Sequence, residues 1–481
     1  MARQLQQNLK NKMEKQLPKE LTINLLLLVS AGAIFYIISF ASKDILWTDY
    51  FAWNGDAVKM SECFNEIKKC DISKTISSFS KFPFGYFLTG LTETTLSKHN
   101  GDSLRAINTL GLTIPLLGIL ISNAQISTKT FITAIYVIVI GFSPIALVYI
   151  NSGALEVLQG SFLALYLTVR FFKSDDLDTK GKQAVRFLCL FVCCLFKDTF
   201  ILTLISAEIA FYVFETIRTK PRKRKLTHSK NYYLSTGDFA GLTAGTLLSI
   251  AYNLARYQSI IPISYINEAK EIPVNLKEYF QNYLAAIASP NGGLIFFYGI
   301  PISIILISIV LVNKEQKNIN KVKEVLDIQP MCSYCAIITL TSLAFTSKWW
   351  AAFGWVSWGN RLVIPWASSI YITSAICGYH ALNTITQQNQ LTHLINSTTF
   401  RKTIWLTLIS VILFTGLHYA TTSIGMDHKK IGKRIDISKT CVNFTTNYYD
   451  RRDSYSPQTL IYTLPIFKQC TTDRFWQIVN D

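Results

Sequence analysis

The apolar residues of the chain are gathered into long runs that few charged residues interrupt. The first run, 23–41, contains no charged residue, and a helix needs about 20 residues to cross a bilayer. Ten further runs follow at 106–122, 131–150, 155–172, 185–196, 199–214, 239–255, 294–313, 331–347, 362–382 and 404–423. This pattern predicts an all-α integral membrane protein with about 11 transmembrane helices.

The basic residues predict how these helices are oriented. Lysine and arginine are frequent in the short segments 1–22, 173–184, 216–236, 314–330 and 383–402. The positive-inside rule places such segments in the cytoplasm. We therefore expect a multi-pass protein of the cell membrane with a cytoplasmic N-terminus. The run 23–41 lacks a small-residue cleavage site and is interpreted as a retained first helix rather than a signal peptide.

This orientation divides the chain into two parts. Residues 1–423 form the predicted membrane domain, with a long extracytoplasmic loop at 42–105. Residues 424–481 form a polar, basic tail, so the C-terminus is predicted to be extracytoplasmic.

The composition is consistent with a membrane protein. Only 16% of the residues are charged, against roughly 25% in a typical soluble chain. The formal net charge is +17, which by itself suggests a nucleic-acid or membrane partner. Because cytoplasmic loops of membrane proteins are basic, the charge needs no nucleic acid, and the expected partners include membrane lipids instead.

Four cysteines fall in predicted extracytoplasmic segments: Cys63, Cys70, Cys441 and Cys470. Disulfides form where the compartment is oxidising. The pairings of Cys63 with Cys70 and of Cys441 with Cys470 are possible, but spacing does not fix the connectivity.

The first extracytoplasmic loop holds the first candidate chemistry. Asp49 and Asp56 lie among four aromatic residues directly after the first run. The apolar spacing after Asp56 predicts an amphipathic helix lying on the membrane. An aromatic turn at 82–87, which includes Tyr86, then leads back to the bilayer. Asp49 and Asp56 have a simpler interpretation as solvated loop acids.

Other charged residues lie at the ends of predicted spans, where charge is costly and often functional. Glu156 opens one span, where it could also simply cap the helix through the helix dipole. Lys197 and Asp198 separate two short apolar runs and could instead form a local ion pair. Glu208 lies inside a run and is expected to be paired or to face a cavity, with no assigned role.

A tryptophan-rich segment precedes the run 362–382. Trp355 and Trp358 are suited to stacking on a sugar or contacting lipid, and Arg361 to binding a phosphate. The alternative is an ordinary interfacial belt of aromatic residues.

The order of these features resembles the GT-C superfamily of multi-span glycosyltransferases, which includes protein O-mannosyltransferases and the lipid A aminoarabinose transferase. The segments 289–294 (SPNGGL) and 355–362 (WVSWGNRL), the latter followed by Pro365, are similar to the SPxxGL and W-G-x-R-x-L-x-P segments of bacterial members. The match extends in order from residue 20 to about 385. Asp56 is followed by Ala57 rather than by the acidic residue of some members, so the choice of catalytic acid between Asp49 and Asp56 stays open.

The resemblance implies a GT-C-like fold and transfer of a hexosyl or pentosyl group from a polyprenyl-phosphate donor to a lipid, glycan or protein acceptor. Asp56 or Asp49 would act as the base, with Glu156 in support, and attack would proceed with inversion. Lys197 and Arg361 would bind the donor phosphate, and Trp355, Trp358 and Tyr86 would contact substrate. No cofactor is expected beyond the lipid-linked donor, although the scheme leaves a divalent metal open.

Two alternative functions use the same features. A multi-span transporter or flippase would also place charges inside the membrane, but the sequence contains no obvious pair of matching halves. A polymerase or ligase of lipid-linked glycans would share the lipid donor and the outer-face chemistry.

Overall fold

The computed structural model describes the greater part of the predicted membrane domain, and all structural statements concern these residues. The described residues are 2–41, 58–66, 70–71, 75, 84–96, 102–122, 124–151, 154–171, 179–196, 199–219, 234–260, 270, 274–288, 293–315, 328–348 and 361–387. Within these ranges the ordered elements are helical and no strand occurs.

Most of the helices coincide with predicted apolar runs, whereas the first helix begins well before its run and two helices, at 84–96 and 276–288, lie outside every run. In chain order the helices are α1 (Ala2–Ala41), α2 (Phe84–Leu96), α3 (Asp102–Gly111), α4 (Ile114–Leu120), α5 (Ile126–Gly141), α6 (Pro144–Asn151), α7 (Leu155–Phe171), α8 (Thr179–Phe196), α9 (Thr199–Thr219), α10 (Thr236–Tyr257), α11 (Leu276–Ala288), α12 (Leu294–Phe297), α13 (Gly299–Glu315), α14 (Ile328–Thr346) and α15 (Ile364–Gln387). Residues 58–65 form a further short helix, and a 3₁₀-helix (Arg361–Val363) precedes α15.

Three described segments are long and apolar enough to cross a membrane: Glu20–Ser39 within α1, Phe200–Arg218 within α9, and Ile328–Thr346, which is α14. The chain is therefore a helical membrane protein. The count of about 11 spans stays a prediction, because many of the other apolar helices are shorter and the predicted run 404–423 lies outside the described residues.

Three of the predicted runs are each divided into two helices, and one of them, 294–313, is divided at Tyr298 between α12 and α13. The run 106–122 is broken between α3 and α4, where Pro115 follows the N-cap residue Thr113. The run 131–150 is broken between α5 and α6, which begins at Pro144. Proline has no N–H to donate within a helix but fits well in the first turn, so each proline begins a new helix.

Helix α7 lies at the centre of the bundle. All of its residues are buried except Phe162, which is partly buried. A helix that is buried on every side must be surrounded by other helices, and α7 contacts α3, α4, α8, α14 and α15. Each of these five helices thus packs part of its buried surface on α7.

Hydrogen bonds and ring contacts fix the direction of α8 relative to α7. The Gln159 Nε2 donates to the Cys193 carbonyl at 2.9 Å, and the guanidinium of Arg186 lies 5.8 Å from the centre of the Tyr166 ring. Higher numbers on α7 therefore meet lower numbers on α8, so the two helices are antiparallel.

Helices α7 and α15 run in the same direction. A Cβ added at Gly160 would lie 2.9 Å from the Ile364 carbonyl oxygen, so the start of α7 meets the start of α15. The two Sγ atoms of Cys332 and Cys377 are 3.2 Å apart, which places the start of α14 beside the later part of α15. Helix α14 is therefore antiparallel to α15.

A stripe of glycines lets α10 approach α8 closely. Gly237, Gly241 and Gly245 follow one another at intervals of four residues, so they lie on one face of α10. A Cβ added to them would approach the Gln183 carbonyl oxygen to 2.5 Å, the Phe187 carbonyl oxygen to 2.6 Å and the Cys194 Cβ to 2.6 Å, respectively. Small residues at this spacing allow membrane helices to pack backbone against backbone.

Replacing the central glycine of this stripe should destabilise the protein. In Gly241→Leu the side chain meets backbone that cannot move aside without separating α8 from α10, and overpacking of this kind costs roughly 1–3 kcal/mol. The measurement is the thermal unfolding midpoint in detergent, which we expect to fall.

The matched control is Ala240→Leu, at the neighbouring, exposed position of α10. Leucine has a higher helix propensity than glycine by up to about 1 kcal/mol, so propensity alone would stabilise Gly241→Leu. An unchanged or raised midpoint for Gly241→Leu would contradict the close packing.

Candidate functional site

The starts of α2 and α7 and the end of α8 meet at one end of the bundle. A Cβ added at Gly85 would lie 2.6 Å from Leu155 Cδ1 and 3.0 Å from Phe196 Cε1. The rings of Phe84 and Phe196 are in edge contact, with centroids 5.5 Å apart. The first residues of α2 are therefore packed between α7 and the last residue of α8.

The starts of α9 and α15 lie at the same end. Phe200 in the first turn of α9 stacks on Trp366 in the first turn of α15, with the ring planes 5° apart and the centroids separated by 4.7 Å. The 3₁₀-helix Arg361–Val363 directly precedes α15 and also contacts α14. The starts of α2, α7, α9 and α15 thus lie together with the ends of α8 and α14. We call this region the α7-start end.

Glu156 lies at the α7-start end, in the first turn of α7, and is 4% exposed. It precedes Gly160 by one helical turn and so shares the face that packs on the start of α15. The positive end of the α7 dipole stabilises a carboxylate here. The position agrees with the capping interpretation and equally with a functional carboxylate.

Tyr86 also lies at this end and is fully buried near the start of α2. Its carbonyl oxygen accepts a hydrogen bond from Thr89 Oγ1 at 3.3 Å. Burial inside the described part of the chain means that Tyr86 contacts protein, so its predicted role in contacting substrate stays a prediction.

A short helix at 58–65 follows Asp56, as predicted, and packs on α2. A Cβ added at Gly90 would lie 2.6 Å from Met60 Cγ, and Ser61 Oγ is 3.0 Å from Thr94 Oγ1. A disulfide joins Cys63 to Cys70, one of the two pairings that the sequence left possible. Cys441 and Cys470 lie outside the described residues.

Five of the other predicted site residues lie outside the described residues, although the residue before Lys197 is described. This group comprises Asp49, Asp56, Lys197, Trp355 and Trp358. Lys197 directly follows Phe196, the last residue of α8. Arg361 opens the 3₁₀-helix, and only its backbone is described.

No group of three His, Cys, Asp or Glu side chains able to hold a metal ion occurs within the described residues. Asp49 and Asp56 are not among those residues, so the absence of a metal requirement stays a prediction.

A polar cluster around Arg170 lies in the interior of the bundle, remote from the α7-start end. Arg170 near the end of α7 forms a two-fold ion pair with Glu208 of α9, in which Nη2 donates to Oε2 at 3.0 Å and Nη1 contacts Oε1. Nη1 also donates to the Tyr166 hydroxyl at 2.8 Å, and the Tyr334 hydroxyl donates to Glu208 Oε1 at 2.5 Å. Glu208 is thus paired, as expected from the sequence.

Another buried ion pair joins α8 to α10. Arg186 Nε donates to Asp238 Oδ1 at 2.8 Å, and its Nη2 contacts Oδ2. Asp238 also forms a capping box with Ser235, whose backbone N–H donates to the carboxylate at 2.6 Å. The same carboxylate therefore begins α10 and fixes it to α8.

A cavity of about 750 Å³ opens between α9 and α10 beside the first of these ion pairs. Its walls are largely apolar, and Arg170 and Glu208 contribute to the lining. Along α7, Arg170 is 14 residues from Glu156, a distance of about 21 Å at the helical rise. The cavity is therefore separate from the α7-start end.

Sequence reasoning missed Arg170 as the partner of Glu208, and it missed the pair of Arg186 with Asp238. The available signal was that each charged residue lies in or beside an apolar run, where a single charge is unfavourable and must find a partner. Which charge pairs with which depends on helices brought together by folding, so the sequence alone does not give the partner.

No protein-family model and no curated protein matches the chain. Among solved structures it is similar to ArnT from Cupriavidus metallidurans bound to undecaprenyl phosphate, with 12% sequence identity, coverage of 95% of this chain and 77% of that chain, and a TM-score of 0.47. At this identity and TM-score the likeness assigns no activity to this chain.

Removing one partner of the Arg170–Glu208 pair should strongly destabilise the protein. In Glu208→Leu the guanidinium stays buried without its carboxylate, and loss of one partner of a buried pair costs roughly 3–5 kcal/mol. The measurement is the unfolding midpoint in detergent, which should fall markedly.

The matched control is the double variant Arg170→Met with Glu208→Leu. It removes both charges and should lose much less stability than Glu208→Leu, because no isolated charge remains. If the double variant lost at least as much stability as the single variant, the two side chains would not be acting as a pair.

Proposed function

We propose that the chain is a membrane glycosyltransferase that moves a sugar from a polyprenyl-phosphate donor to an acceptor on the extracytoplasmic face, by inverting displacement. The observation that carries this proposal is the convergence at the α7-start end. Tyr86, Glu156, Phe196 and Arg361 are separated by up to 275 positions in sequence, yet the helix ends that hold them pack together. Each of these positions is, or adjoins, a predicted site residue.

A terminus of several membrane helices is a suitable place for this chemistry. Helix ends carry unpaired backbone groups and partial charges, and side chains there reach both the bilayer and water. A lipid-phosphate donor also has its phosphate at the membrane surface and its chain in the bilayer. The proposed reaction therefore needs a site at the membrane surface, and the ends of membrane helices lie at that depth.

Among the three carboxylates of the proposed site, Glu156 is the one that lies within the described residues. It is buried in the first turn of α7. In the proposal Asp56 or Asp49 removes the proton of the acceptor hydroxyl while the hydroxyl oxygen attacks the anomeric carbon. Glu156 then supports either the base or the acceptor hydroxyl.

The donor phosphate requires positive charge as it leaves. In the proposal Lys197 and Arg361 supply that charge, since charge-assisted hydrogen bonds to phosphate oxygens are strong and stabilise the negative charge that grows on the leaving group. Trp355 and Trp358 would hold the sugar by stacking on its apolar face. The leaving group is the polyprenyl phosphate, and the new bond joins the anomeric carbon to the acceptor oxygen.

The disulfide supports the proposed orientation. Cys63 and Cys70 are bonded in the segment that packs on α2, and the start of α2 belongs to the α7-start end. Disulfides persist in oxidising compartments and are rare in the cytoplasm. This favours an extracytoplasmic position for the end that carries the proposed site, in agreement with the positive-inside rule.

Substitution of the proposed residues should abolish sugar transfer while the protein still folds. We expect Glu156→Gln and either Asp56→Asn or Asp49→Asn to reduce transfer by roughly 10²–10⁴-fold. Lys197→Ala and Arg361→Ala should reduce it by roughly 10²-fold or more. The measurement is transfer of labelled sugar from polyprenyl phosphate in membranes that contain equal amounts of each variant.

Matched controls come from exposed positions outside the proposed site. Glu62→Gln makes the same carboxylate-to-amide change on the helix 58–65, and Lys180→Ala removes a lysine at the start of α8. Both should transfer sugar like the unsubstituted protein. If every site variant kept full transfer while folded, the proposed centre would be wrong, and if the unsubstituted protein moved solute into vesicles without transfer, the transporter hypothesis would replace the proposal.

The orientation gives a separate prediction. In Cys63→Ser the thiol of Cys70 is freed from its disulfide and is partly exposed. A membrane-impermeant maleimide added to intact cells should then label the variant above the background of the unsubstituted protein. Labelling that required permeabilised cells would reverse the proposed orientation without bearing on the transfer reaction itself.

A further inference from the structure

Helix α11 (Leu276–Ala288) is a short helix fixed to the end of a membrane-crossing helix. It has 13 residues, too few for the approximately 20 that a span requires. Asn282 of α11 is buried, and its Nδ2 donates to the Ser347 carbonyl directly after α14, at 3.2 Å. Lys348 Nζ donates to the Val274 carbonyl just before α11, at 3.4 Å.

A line of large apolar side chains runs along another face of α11. Leu276, Phe280 and Leu284 are 71%, 55% and 58% exposed. They follow one another at intervals of four residues, so they lie above one another along the helix. We call these three residues the α11 stripe. The buried residues Asn282 and Ala286 lie about 140° away around the helix at 100° per residue.

A sector with three polar residues, together with Ala285 and Ala288, separates the α11 stripe from Asn282 on one side of the helix. At 100° per residue, Lys277, Gln281 and Glu278 lie about 60°, 100° and 160° from position 280, and Glu278 is about 40° from Asn282. Helix α11 thus has one sector packed against protein, one large apolar sector and one polar sector. A helix with separate apolar and polar faces, too short to cross a membrane, is typical of the membrane–water interface.

The part of α11 that is bonded to Ser347 is close to exposed apolar residues of a helix long and apolar enough to cross a membrane. Leu340 and Phe345 of α14 are 40% and 44% exposed, and α14 is one of the helices able to cross the membrane. Phe345 is two residues from Ser347, the residue to which α11 is bonded. The exposed apolar surface of the spanning helix therefore continues towards α11 at the end of α14.

We propose that α11 lies flat in the membrane–water interface, with Leu276, Phe280 and Leu284 inserted among the lipid chains and the polar sector facing water. The occupant of the α11 stripe is the bilayer surface. Since α14 ends beside the 3₁₀-helix Arg361–Val363, α11 would set the depth of the bilayer boundary at the α7-start end. This inference does not depend on the proposed sugar transfer.

The test places an environment-sensitive NBD fluorophore at single introduced cysteines in lipid nanodiscs of phosphatidylcholine and phosphatidylglycerol. We expect Phe280→Cys and Leu284→Cys to give blue-shifted emission that is quenched by lipids with a doxyl group at a shallow position of the acyl chain. Aqueous iodide should quench them little. The matched control is Glu278→Cys, about 160° from position 280 at 100° per residue, which should respond to iodide and not to the doxyl lipids.

Each other outcome would overturn the proposal. If iodide quenched positions 280 and 284 as strongly as position 278, the α11 stripe would face water. If neither quencher reached positions 280 and 284, a protein surface such as a second copy of the chain would cover it. If the doxyl lipids quenched position 278 as well, α11 would be immersed rather than flat. The unsubstituted protein measures background labelling of the native cysteines, and equal elution on size exclusion shows that each variant is folded.

Discussion

The structure depends on one constraint, which is that the hydrocarbon core of a bilayer offers no hydrogen-bond partner to the protein. Backbone groups must then be satisfied within helices, and a charge must find a counter-charge inside the protein. The interior of this protein follows both requirements. Its described ordered elements are helices, and Arg170 and Arg186 each bind a carboxylate.

The buried ion pairs have a structural consequence beyond neutralising charge. Arg170 and Glu208 join α7 to α9, and Tyr334 extends the connection to α14. Arg186 and Asp238 join α8 to α10, where the glycine stripe already brings the two backbones together. Such pairs have defined geometry, so they select one arrangement of helices among many that apolar packing alone would tolerate.

The same constraint separates the polar chemistry of the protein into two kinds. Inside the bundle, charges are paired with each other and hold helices together. At the α7-start end, Glu156 is buried in the first turn of α7, where the helix dipole stabilises a carboxylate. Helix α7 thus carries a buried carboxylate in its first turn and a paired polar cluster near its end.

Short helices complete this division at the membrane boundary. The helix 58–65 is fixed to α2 and by the disulfide between Cys63 and Cys70, and α11 is fixed to the residue that follows α14. Neither is long enough to cross a bilayer. In the inference drawn for α11, its apolar stripe marks the border between lipid and water near the α7-start end.

The sequence by itself determined the class of protein and much of the element order, because apolar runs of bilayer length have few other stable structures. It also indicated that Glu208 would be paired or face a cavity, and that Cys63 and Cys70 could bond. It did not reveal that the runs 106–122 and 131–150 are each two helices, although Pro115 and Pro144 mark the breaks.

Only the tertiary structure decided which residues meet. The partners of Arg170 and Asp238, the antiparallel contact of α7 with α8, and the meeting of Gly160 with Ile364 all join segments distant in sequence. Nothing local encodes these contacts, since an apolar helix face fits many others about equally well. The candidate site is divided in the same way between sequence and tertiary structure. The sequence identified Glu156 as a candidate because it is a charged residue that opens a predicted span, whereas helix packing placed it beside the start of α15.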